Sequence, residues 1–170
     1  MSGTLILTGS PGSGKTSVLE ALGSLLEIDR VAYGALETEE LARGWPPLDR
    51  DEWLRQVSAV ILLQREAGRE TLLVVATTET DEELQAIVDV VADGRVLVVC
   101  LSASGEEAAR RVAEREPDSW PGKLALVEHA RALAHDIPLL RGLDVVVGTD
   151  GRRAEDVAAE VREMLISRGL

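Results

Sequence analysis

The feature that most constrains the fold is a glycine-rich segment set between two apolar runs of different periodicity. Residues 9–16 read Gly-Ser-Pro-Gly-Ser-Gly-Lys-Thr. The run before them, residues 4–8, is continuous and rich in apolar and β-branched side chains, which is typical of a buried strand. The run after them, residues 16–22, has helical spacing. A strand that enters a glycine loop and leaves it as a helix is a unit of an α/β fold.

The same eight residues match the complete pattern G-x-x-x-x-G-K-[ST] of a phosphate-binding loop, or P-loop. Glycines allow backbone N–H groups to turn toward one point, where a helix N-terminus adds its partial positive charge. Lys15 is expected to reach the β- and γ-phosphates of a nucleoside triphosphate, and the Thr16 hydroxyl is expected to hold Mg²⁺. The candidate nucleotide-binding residues are those of the whole loop: Gly9, Ser10, Pro11, Gly12, Ser13, Gly14, Lys15 and Thr16.

The length and the charge of the chain limit its organisation and its partners. With 170 residues, 45% of them hydrophobic, residues 1–170 are expected to form a single globular domain. The net charge of −12 argues against nucleic acids and anionic membranes as partners, because both are polyanions. No leader pattern opens the chain and no apolar run approaches the ~18 residues of a membrane helix, so we expect a cytoplasmic protein.

The single cysteine and the two histidines are interpreted as structural residues. Cys100 lies in the apolar run 96–101, so it is expected to fill the core rather than to act as a nucleophile. His129 and His135 are six positions apart on one predicted helix. That spacing does not give them a common face, so we expect them to be partly exposed and not to bind a metal.

Five short apolar runs alternate with helical segments along the chain. Continuous apolar strands separated by helices predict a five-stranded parallel sheet with helices on both faces, the three-layer fold of P-loop NTPases. Three helix starts carry the spacing of a capping box, at Asp49, Thr80 and Ser104. The expected strands are 4–8, 31–36, 71–76, 95–101 and 143–148, and the expected helices are 16–26, 50–68, 81–92, 105–115, 122–136 and 153–168.

Other P-loop classes require features that this chain does not carry. GTPases usually recognise guanine through an N-K-x-D motif, and the chain contains no Asn. ATPases of the AAA and helicase types need a longer chain and usually place Asp-Glu directly after an apolar strand. The third apolar run here ends instead in Thr77-Thr78-Glu79-Thr80. Transfer of a phosphoryl group to a small acceptor is the chemistry that remains.

At this point the chain resembles the small P-loop kinases, namely the nucleoside monophosphate, shikimate and gluconate kinases and chloramphenicol phosphotransferase. The resemblance covers nearly the whole length and rests on the P-loop and on the segment Arg110-Arg111-Val112-Ala113-Glu114-Arg115, where these kinases carry R-x-x-x-R leading into a lid. It implies ATP and Mg²⁺ as cofactors and a mobile lid at about 111–123. It also implies that Arg111 and Arg115 act on the transferring phosphoryl group, the alternative being a solvated face paired with neighbouring glutamates.

Two further site residues follow from the same resemblance. In these kinases a carboxylate at the end of the second strand contacts or deprotonates the acceptor hydroxyl, which implies Glu37 for this role, with Glu39 next. Alternatively, this glutamate cluster opens a solvated helix. The turn after the last strand contacts adenine in these kinases, which implies Thr149 for the base.

The acceptor side is less specific. The tryptophans Trp45 and Trp53 are interpreted either as an apolar wall for a ring-bearing acceptor or as hinge and core packing. The sequence therefore favours an ATP-dependent phosphotransferase that moves the γ-phosphoryl group to a hydroxyl or phosphate of a small molecule. A non-catalytic ATP-binding regulatory module and a simple nucleoside triphosphatase remain as alternatives, and the acceptor and the oligomeric state stay open.

Overall fold

The computed structural model of the chain, which describes residues 2–92 and 94–170, has one five-stranded, all-parallel sheet. Its strand order is β2-β3-β1-β4-β5, with β1 at the centre. In the register of the sheet, Leu5 of β1 lies between Leu73 of β3 and Leu97 of β4. This topology confirms the predicted fold class. The strands are β1 (Gly3–Thr8), β2 (Tyr33–Glu37), β3 (Thr71–Val75), β4 (Arg95–Ser102) and β5 (Val145–Gly148).

The helices agree with the predicted ones to within about two residues at their ends, apart from one short helix that the periodicity does not predict. The short helix follows β2 directly and begins with a turn that contains Glu39 and Glu40, and acidic side chains are favourable in a first helical turn. No helix in the described residues is long and apolar enough to span a membrane. The helices are α1 (Lys15–Ile28), α2 (Thr38–Leu41), α3 (Arg50–Glu66), α4 (Asp81–Val91), α5 (Gly105–Arg115), α6 (Lys123–Asp136) and α7 (Ala154–Arg168), and a 3₁₀ turn covers Ile137–Leu139.

Strand β2 begins two residues later than its apolar run predicts. Arg30 adopts a left-handed backbone conformation (φ 58°), and the N–H of Val31 donates a hydrogen bond of 2.9 Å to the carbonyl of Leu26. These contacts keep the first residues of the run in the turn that ends α1. The strand therefore starts at Tyr33.

The core lies on both faces of the sheet. Leu5 and Leu7 of β1 belong to a cluster with Leu22 of α1, on the face covered by α1 and α7. Ile6 points the other way and packs in a cluster with Val57 of α3, on the face covered by α3 and α4. Because side chains alternate along a strand, only a continuous apolar run fills both faces, which explains the sequence of β1. Cys100 is also buried in the core, as predicted, and burial raises the pKa of its thiol to about 11.

The capping patterns are realised to different degrees. At α3 the box is complete, because the Glu52 N–H donates to the Asp49 carboxylate (2.8 Å) and the Asp49 N–H donates to the Glu52 carboxylate (3.3 Å). At α4 the Thr80 hydroxyl caps the Glu83 N–H, but the Glu83 carboxylate accepts from Glu79 instead of Thr80. The α4 box is therefore only half formed.

Ser104, which caps α5, forms hydrogen bonds both within the helix and to the turn after β5. The Ser104 hydroxyl accepts a hydrogen bond from the Glu107 N–H (3.3 Å). The N–H of Ser104 donates to both carboxylate oxygens of Asp150, at 3.0 and 3.1 Å, which ties the start of α5 to the turn after β5. The Glu107 side chain is thereby left available to the arginines of its own helix.

We expect Asp49→Ala to lower the free energy of unfolding by about 1 kcal/mol, because the substitution leaves the Glu52 N–H without its cap. Asp51→Ala is the matched control, since Asp51 lies in the first turn of the same helix but outside the box, so only a few tenths of a kcal/mol are expected from the helix dipole. Urea unfolding followed by circular dichroism measures both variants. Equal losses in the two proteins would contradict the capping assignment.

Candidate active site

The P-loop joins β1 to α1 at the carboxyl edge of the sheet, and it is pressed against β4 and α5. Gly9 (φ 142°) and Gly12 (φ 81°) have backbone conformations that favour glycine. A Cβ atom at Gly9 would collide with the carbonyl oxygen of Leu101, and one at Gly12 would collide with that of Ala108. Both glycines are therefore required by conformation and by space.

Two serine hydroxyls of the loop are buried without a partner. The side-chain oxygens of Ser10 and Ser13 form no hydrogen bond with any of the described residues, although both residues are buried. Buried polar atoms in proteins are normally hydrogen-bonded. Such atoms suit a loop that completes its hydrogen bonds around a polar ligand.

Lys15 lies over its own loop. Its ammonium donates to the carbonyl oxygens of Gly9 (2.7 Å) and Ser10 (3.0 Å). Burial lowers the pKa of Lys15 to about 8, and the carboxylate of Glu39 acts in the opposite direction. A phosphate bound in the loop would offer this ammonium a full negative charge in place of two carbonyl dipoles.

The end of β2 lies against the start of α1. The Thr16 hydroxyl donates a hydrogen bond of 3.0 Å to the carboxylate of Glu37. Because its hydrogen is directed to Glu37, the oxygen of Thr16 keeps its lone pairs for a cation. A hydroxyl and a carboxylate are oxygen donors of the kind that Mg²⁺ prefers, so these residues fit a magnesium ion that phosphate and water also coordinate.

The strand next to β2 supplies hydroxyls at its end. Thr78, which follows β3, shares a buried hydrogen bond of 2.8 Å with Thr8 of β1. The N–H of Thr77 donates to the carboxylate of Glu39 at 2.5 Å. Glu37 and Glu39 thus face different neighbours, since Glu37 contacts the P-loop and Glu39 contacts the end of β3.

Glu39 lies in the wall of a cavity of about 460 Å³ at the carboxyl end of β3, which we call the β3-edge cavity. Trp53 forms part of its apolar wall and is held by a hydrogen bond of 2.8 Å from its indole N–H to the carbonyl of Thr38. Trp45 lies outside this wall and is 91% exposed, so only one of the two tryptophans lies where the sequence predicts an apolar wall. The cavity is lined by Glu39, Arg50, Trp53, Thr77, Thr78, Glu79, Glu83, Ala86 and Ile87.

Arg111 connects three parts of the site. Its guanidinium donates to the carbonyl of Gly12 (3.2 Å), to the hydroxyl of Thr149 (3.2 Å) and to the carbonyl of Thr149 (3.0 Å). Its Nε donates to Glu107 at 2.7 Å. Hydrogen bonds from Arg110, which has the larger effect, and from Arg111 lower the pKa of Glu107 to about 2.

A second cavity, of about 370 Å³, opens beside this arginine between α1 and α7, and we call it the α1–α7 cavity. Its walls include Ser13 and Gly14 of the P-loop, Arg111 of α5, and Thr149 of the turn after β5. Thr149, which the resemblance implies for the adenine contact, thus shares a cavity wall with the P-loop. A further cavity of about 630 Å³, lined by Arg131 and other residues, includes no P-loop residue.

Arg115 has a different partner from Arg111. Its guanidinium contacts the carboxylate of the next residue, Glu116, at 2.7 Å, and its side chain is more than half exposed. Lys123 donates to the carbonyl of Glu116 (2.9 Å) and to the carboxylate of Asp118 (2.6 Å). Within the described part of the chain, the two arginines of the R-x-x-x-R pattern thus share no hydrogen-bond partner, although the charge of Arg115 contributes to lowering the pKa of Lys15.

One side-chain contact at the rim of the β3-edge cavity is not indicated by any pattern in the sequence. The His129 side chain on α6 lies 2.8 Å from the carboxylate of Glu79. His129 is exposed and forms no metal cluster, and no group of three or more His, Cys, Asp and Glu side chains that could hold a metal occurs within residues 2–92 and 94–170. The two partners are 50 positions apart, so no local pattern indicates their contact.

Comparison with known proteins places this geometry in a family. A family model described as an AAA domain matches residues 5–123, which is more than half of the chain. The chain belongs to this P-loop family. The chain length and the missing Asp-Glu argue against an ATPase of the AAA type, but the family that matches is described as an AAA domain. No curated protein matches the chain at the sequence level.

Solved structures that match along the whole chain include kinases. The APS kinase of Mycobacterium tuberculosis, in complex with AMPPNP and APS, is 25% identical over 96% of this chain and 97% of that one, with a TM-score of 0.69. A gluconokinase from Sinorhizobium meliloti is 22% identical over 99% and 98%, with a TM-score of 0.59. Shikimate kinase from Acinetobacter baumannii is 17% identical over 100% and 96%, with a TM-score of 0.57. The predicted fold of a small P-loop kinase is confirmed.

We expect ATP affinity to fall by up to about tenfold per pH unit above pH 8, because ATP favours the charged form of Lys15. Below that pH the ammonium is already protonated and the affinity is nearly constant, whereas above it binding requires the uptake of a proton. Isothermal titration calorimetry with Mg-ATP between pH 7 and 9.5 measures the slope. Lys15→Arg is the control, since its guanidinium stays charged over this range, and an equal slope in that variant would overturn the assignment.

Proposed function

We propose that the protein is an ATP-dependent small-molecule kinase, which transfers the γ-phosphoryl group to a hydroxyl or phosphate of an acceptor bound in the β3-edge cavity. The observation that carries the proposal is a pair of cavities, one lined in part by the P-loop and the other by a carboxylate that acts on the P-loop lysine. Ser13 and Gly14 contribute to the α1–α7 cavity, and Glu39, whose charge acts on Lys15, contributes to the β3-edge cavity. The first cavity suits the base and ribose of ATP, and the second suits an acceptor near the γ-phosphate.

Phosphate binding follows from the loop itself. Backbone N–H groups from Gly12 to Thr16 hold the phosphates at the N-terminus of α1, and Lys15 neutralises negative charge on the β- and γ-phosphates. Thr16 would hold Mg²⁺, with Glu37 accepting the hydroxyl hydrogen and orienting the oxygen. Bound there, the ion would supply positive charge that stabilises the phosphates during transfer.

The two carboxylates after β2 take different roles in this mechanism. The sequence favours Glu37 for the acceptor, with Glu39 next. We assign Glu37 to the magnesium side, because one of its carboxylate oxygens accepts the hydrogen bond of the Thr16 hydroxyl. We assign Glu39 to the acceptor side, because it lies in the wall of the β3-edge cavity and is held there by the Thr77 N–H. Glu39 then accepts the acceptor's hydroxyl proton during transfer.

Two arginines of α5 have separate roles in this mechanism. Arg111 holds Thr149 against the P-loop, so it fixes the pocket for the base and places its own charge beside the phosphates. Arg115 needs to leave Glu116 before it reaches a phosphoryl group. We propose that residues 111–123 close as a lid when both substrates are bound, which excludes water as a competing acceptor.

We expect Lys15→Ala to reduce phosphoryl transfer by about 100-fold or more, because the variant removes a charge aimed at the transferring group. ADP formation from Mg-ATP, with and without a mixed pool of small molecules, measures the activity, and circular dichroism checks the fold. Arg162→Ala is the control, since Arg162 on α7 pairs with Asp29 at the end of α1, and neither residue lines the two cavities. Equal rates with and without the pool would favour a simple nucleoside triphosphatase, and ATP binding without ADP formation would favour a regulatory module.

A second pair of variants separates the two carboxylates. We expect Glu39→Gln to lower kcat by about 100-fold or more with little change in ATP affinity, because it removes the proton acceptor. Glu37→Gln is expected to raise the Mg²⁺ concentration needed for half-maximal rate, because it weakens the magnesium side of the site. Mg²⁺ titrations of the steady-state rate measure both effects, with the exposed Glu40→Gln as the control. A reversed pattern would return the proton acceptor to Glu37.

A further inference from the structure

The β3-edge cavity carries more negative than positive charge. Its walls contain three carboxylates, those of Glu39, Glu79 and Glu83, and one guanidinium, that of Arg50. Arg50 directs a hydrogen bond of 3.1 Å to the backbone carbonyl of Glu82. In the part of the chain that the structure describes, no lysine or arginine forms an ion pair with any of the three carboxylates.

The carboxylates are held in place but keep capacity to bind a ligand. One oxygen of Glu83 accepts from the N–H of Glu79 at 2.7 Å, and one oxygen of Glu79 contacts His129 at 2.8 Å. The second oxygen of each residue has no hydrogen-bond partner among residues 2–92 and 94–170. Both side chains are thus positioned by the protein and still present a free acceptor atom.

The apolar part of the wall is also suited to a cation. Trp53 lines the cavity, with Ala86 and Ile87 of α4 also in the wall. An indole ring attracts an ammonium group through the negative potential of its face, and nearby carboxylates strengthen that attraction. An anionic acceptor would meet the same carboxylates at close range, inside a protein whose net charge is −12.

We propose that the acceptor is a positively charged hydroxyl compound, such as an amino sugar or an amino alcohol. This inference rests on the proposed function, which takes the β3-edge cavity as the acceptor site. The charge of that cavity then indicates the chemical class of the acceptor. Glu79 and Glu83 bind the ammonium group. The acceptor hydroxyl oxygen attacks the γ-phosphorus, the bond from that phosphorus to the ADP oxygen breaks, and the hydroxyl proton passes to Glu39.

The first experiment separates acceptors by charge. A bacterial small-molecule extract is divided by ion exchange into cationic, neutral and anionic fractions, and each fraction is added to the full chain with Mg-ATP while ADP formation is followed. We expect the cationic fraction to give the largest acceleration. A larger acceleration by the neutral or the anionic fraction would overturn the inference. No acceleration by any fraction would contradict the proposed kinase function, and the charge of the cavity would then be judged by the second experiment.

A double variant connects this result to the two carboxylates. With the active cationic fraction, Glu79→Gln combined with Glu83→Gln is expected to raise the apparent KM by about tenfold while kcat changes much less, because ground-state binding of the ammonium is lost. The matched control removes the same number of charges outside the cavity, at Glu40→Gln and Glu82→Gln. An unchanged KM in the first variant, or an equal rise in the control, would overturn the role of Glu79 and Glu83.

The second experiment reports the charge of the cavity without any acceptor. In a chain with Trp45→Phe and Trp120→Phe, Trp53 is the remaining tryptophan, and its fluorescence is quenched with caesium and with iodide ions. We expect the double variant at Glu79 and Glu83 to lower the ratio of caesium to iodide quenching by about twofold, because the local potential becomes less negative. The control pair at Glu40 and Glu82 should leave the ratio unchanged. If the ratio of caesium to iodide quenching is the same with and without the substitutions at Glu79 and Glu83, the inference is overturned, even where no acceptor is found.

Discussion

The close approach of the P-loop to β4 and α5 is the contact on which the candidate site depends. At Gly9 and Gly12 the loop backbone lies so near the carbonyls of Leu101 and Ala108 that no side chain fits between them. This proximity brings α5 within reach of the loop, so Arg111 is able to hydrogen-bond both Gly12 and the turn after β5. A side chain at either glycine would separate these elements, and the α1–α7 cavity would lose one of its walls.

The parallel sheet explains why the remaining site residues gather at one edge. All five strands run in the same direction, so the residues that follow β1, β2 and β3 come together. Thr8 therefore meets Thr78, and Glu39 meets Thr77. The same edge leaves room for a cavity between α3 and α4, because the helices cover the faces of the sheet and not the ends of its strands.

The charge distribution divides the site into two parts. On the side of the P-loop, Lys15 and Arg111 offset the acidic character of the chain at the point where we propose that phosphates bind. On the side that we propose for the acceptor, carboxylates dominate the wall of the β3-edge cavity. Glu39 lies where the two parts meet, since it acts on Lys15 and also lines the cavity. This division supports different chemistry for the phosphoryl donor and for its acceptor.

The sequence by itself determined the parallel strands, the longer helices and the phosphate loop, because periodicity, caps and the glycine pattern are local signals that survive without tertiary context. It did not determine the short helix α2. It left Glu37 and Glu39 as alternatives, since two carboxylates two positions apart at a strand end look equivalent in a pattern. Only the tertiary structure separated them: the strand ends at Glu37 beside Thr16, and the short turn of α2 carries Glu39 to the end of β3. The same holds for His129 and Glu79, whose contact depends on how α6 packs and not on any spacing along the chain.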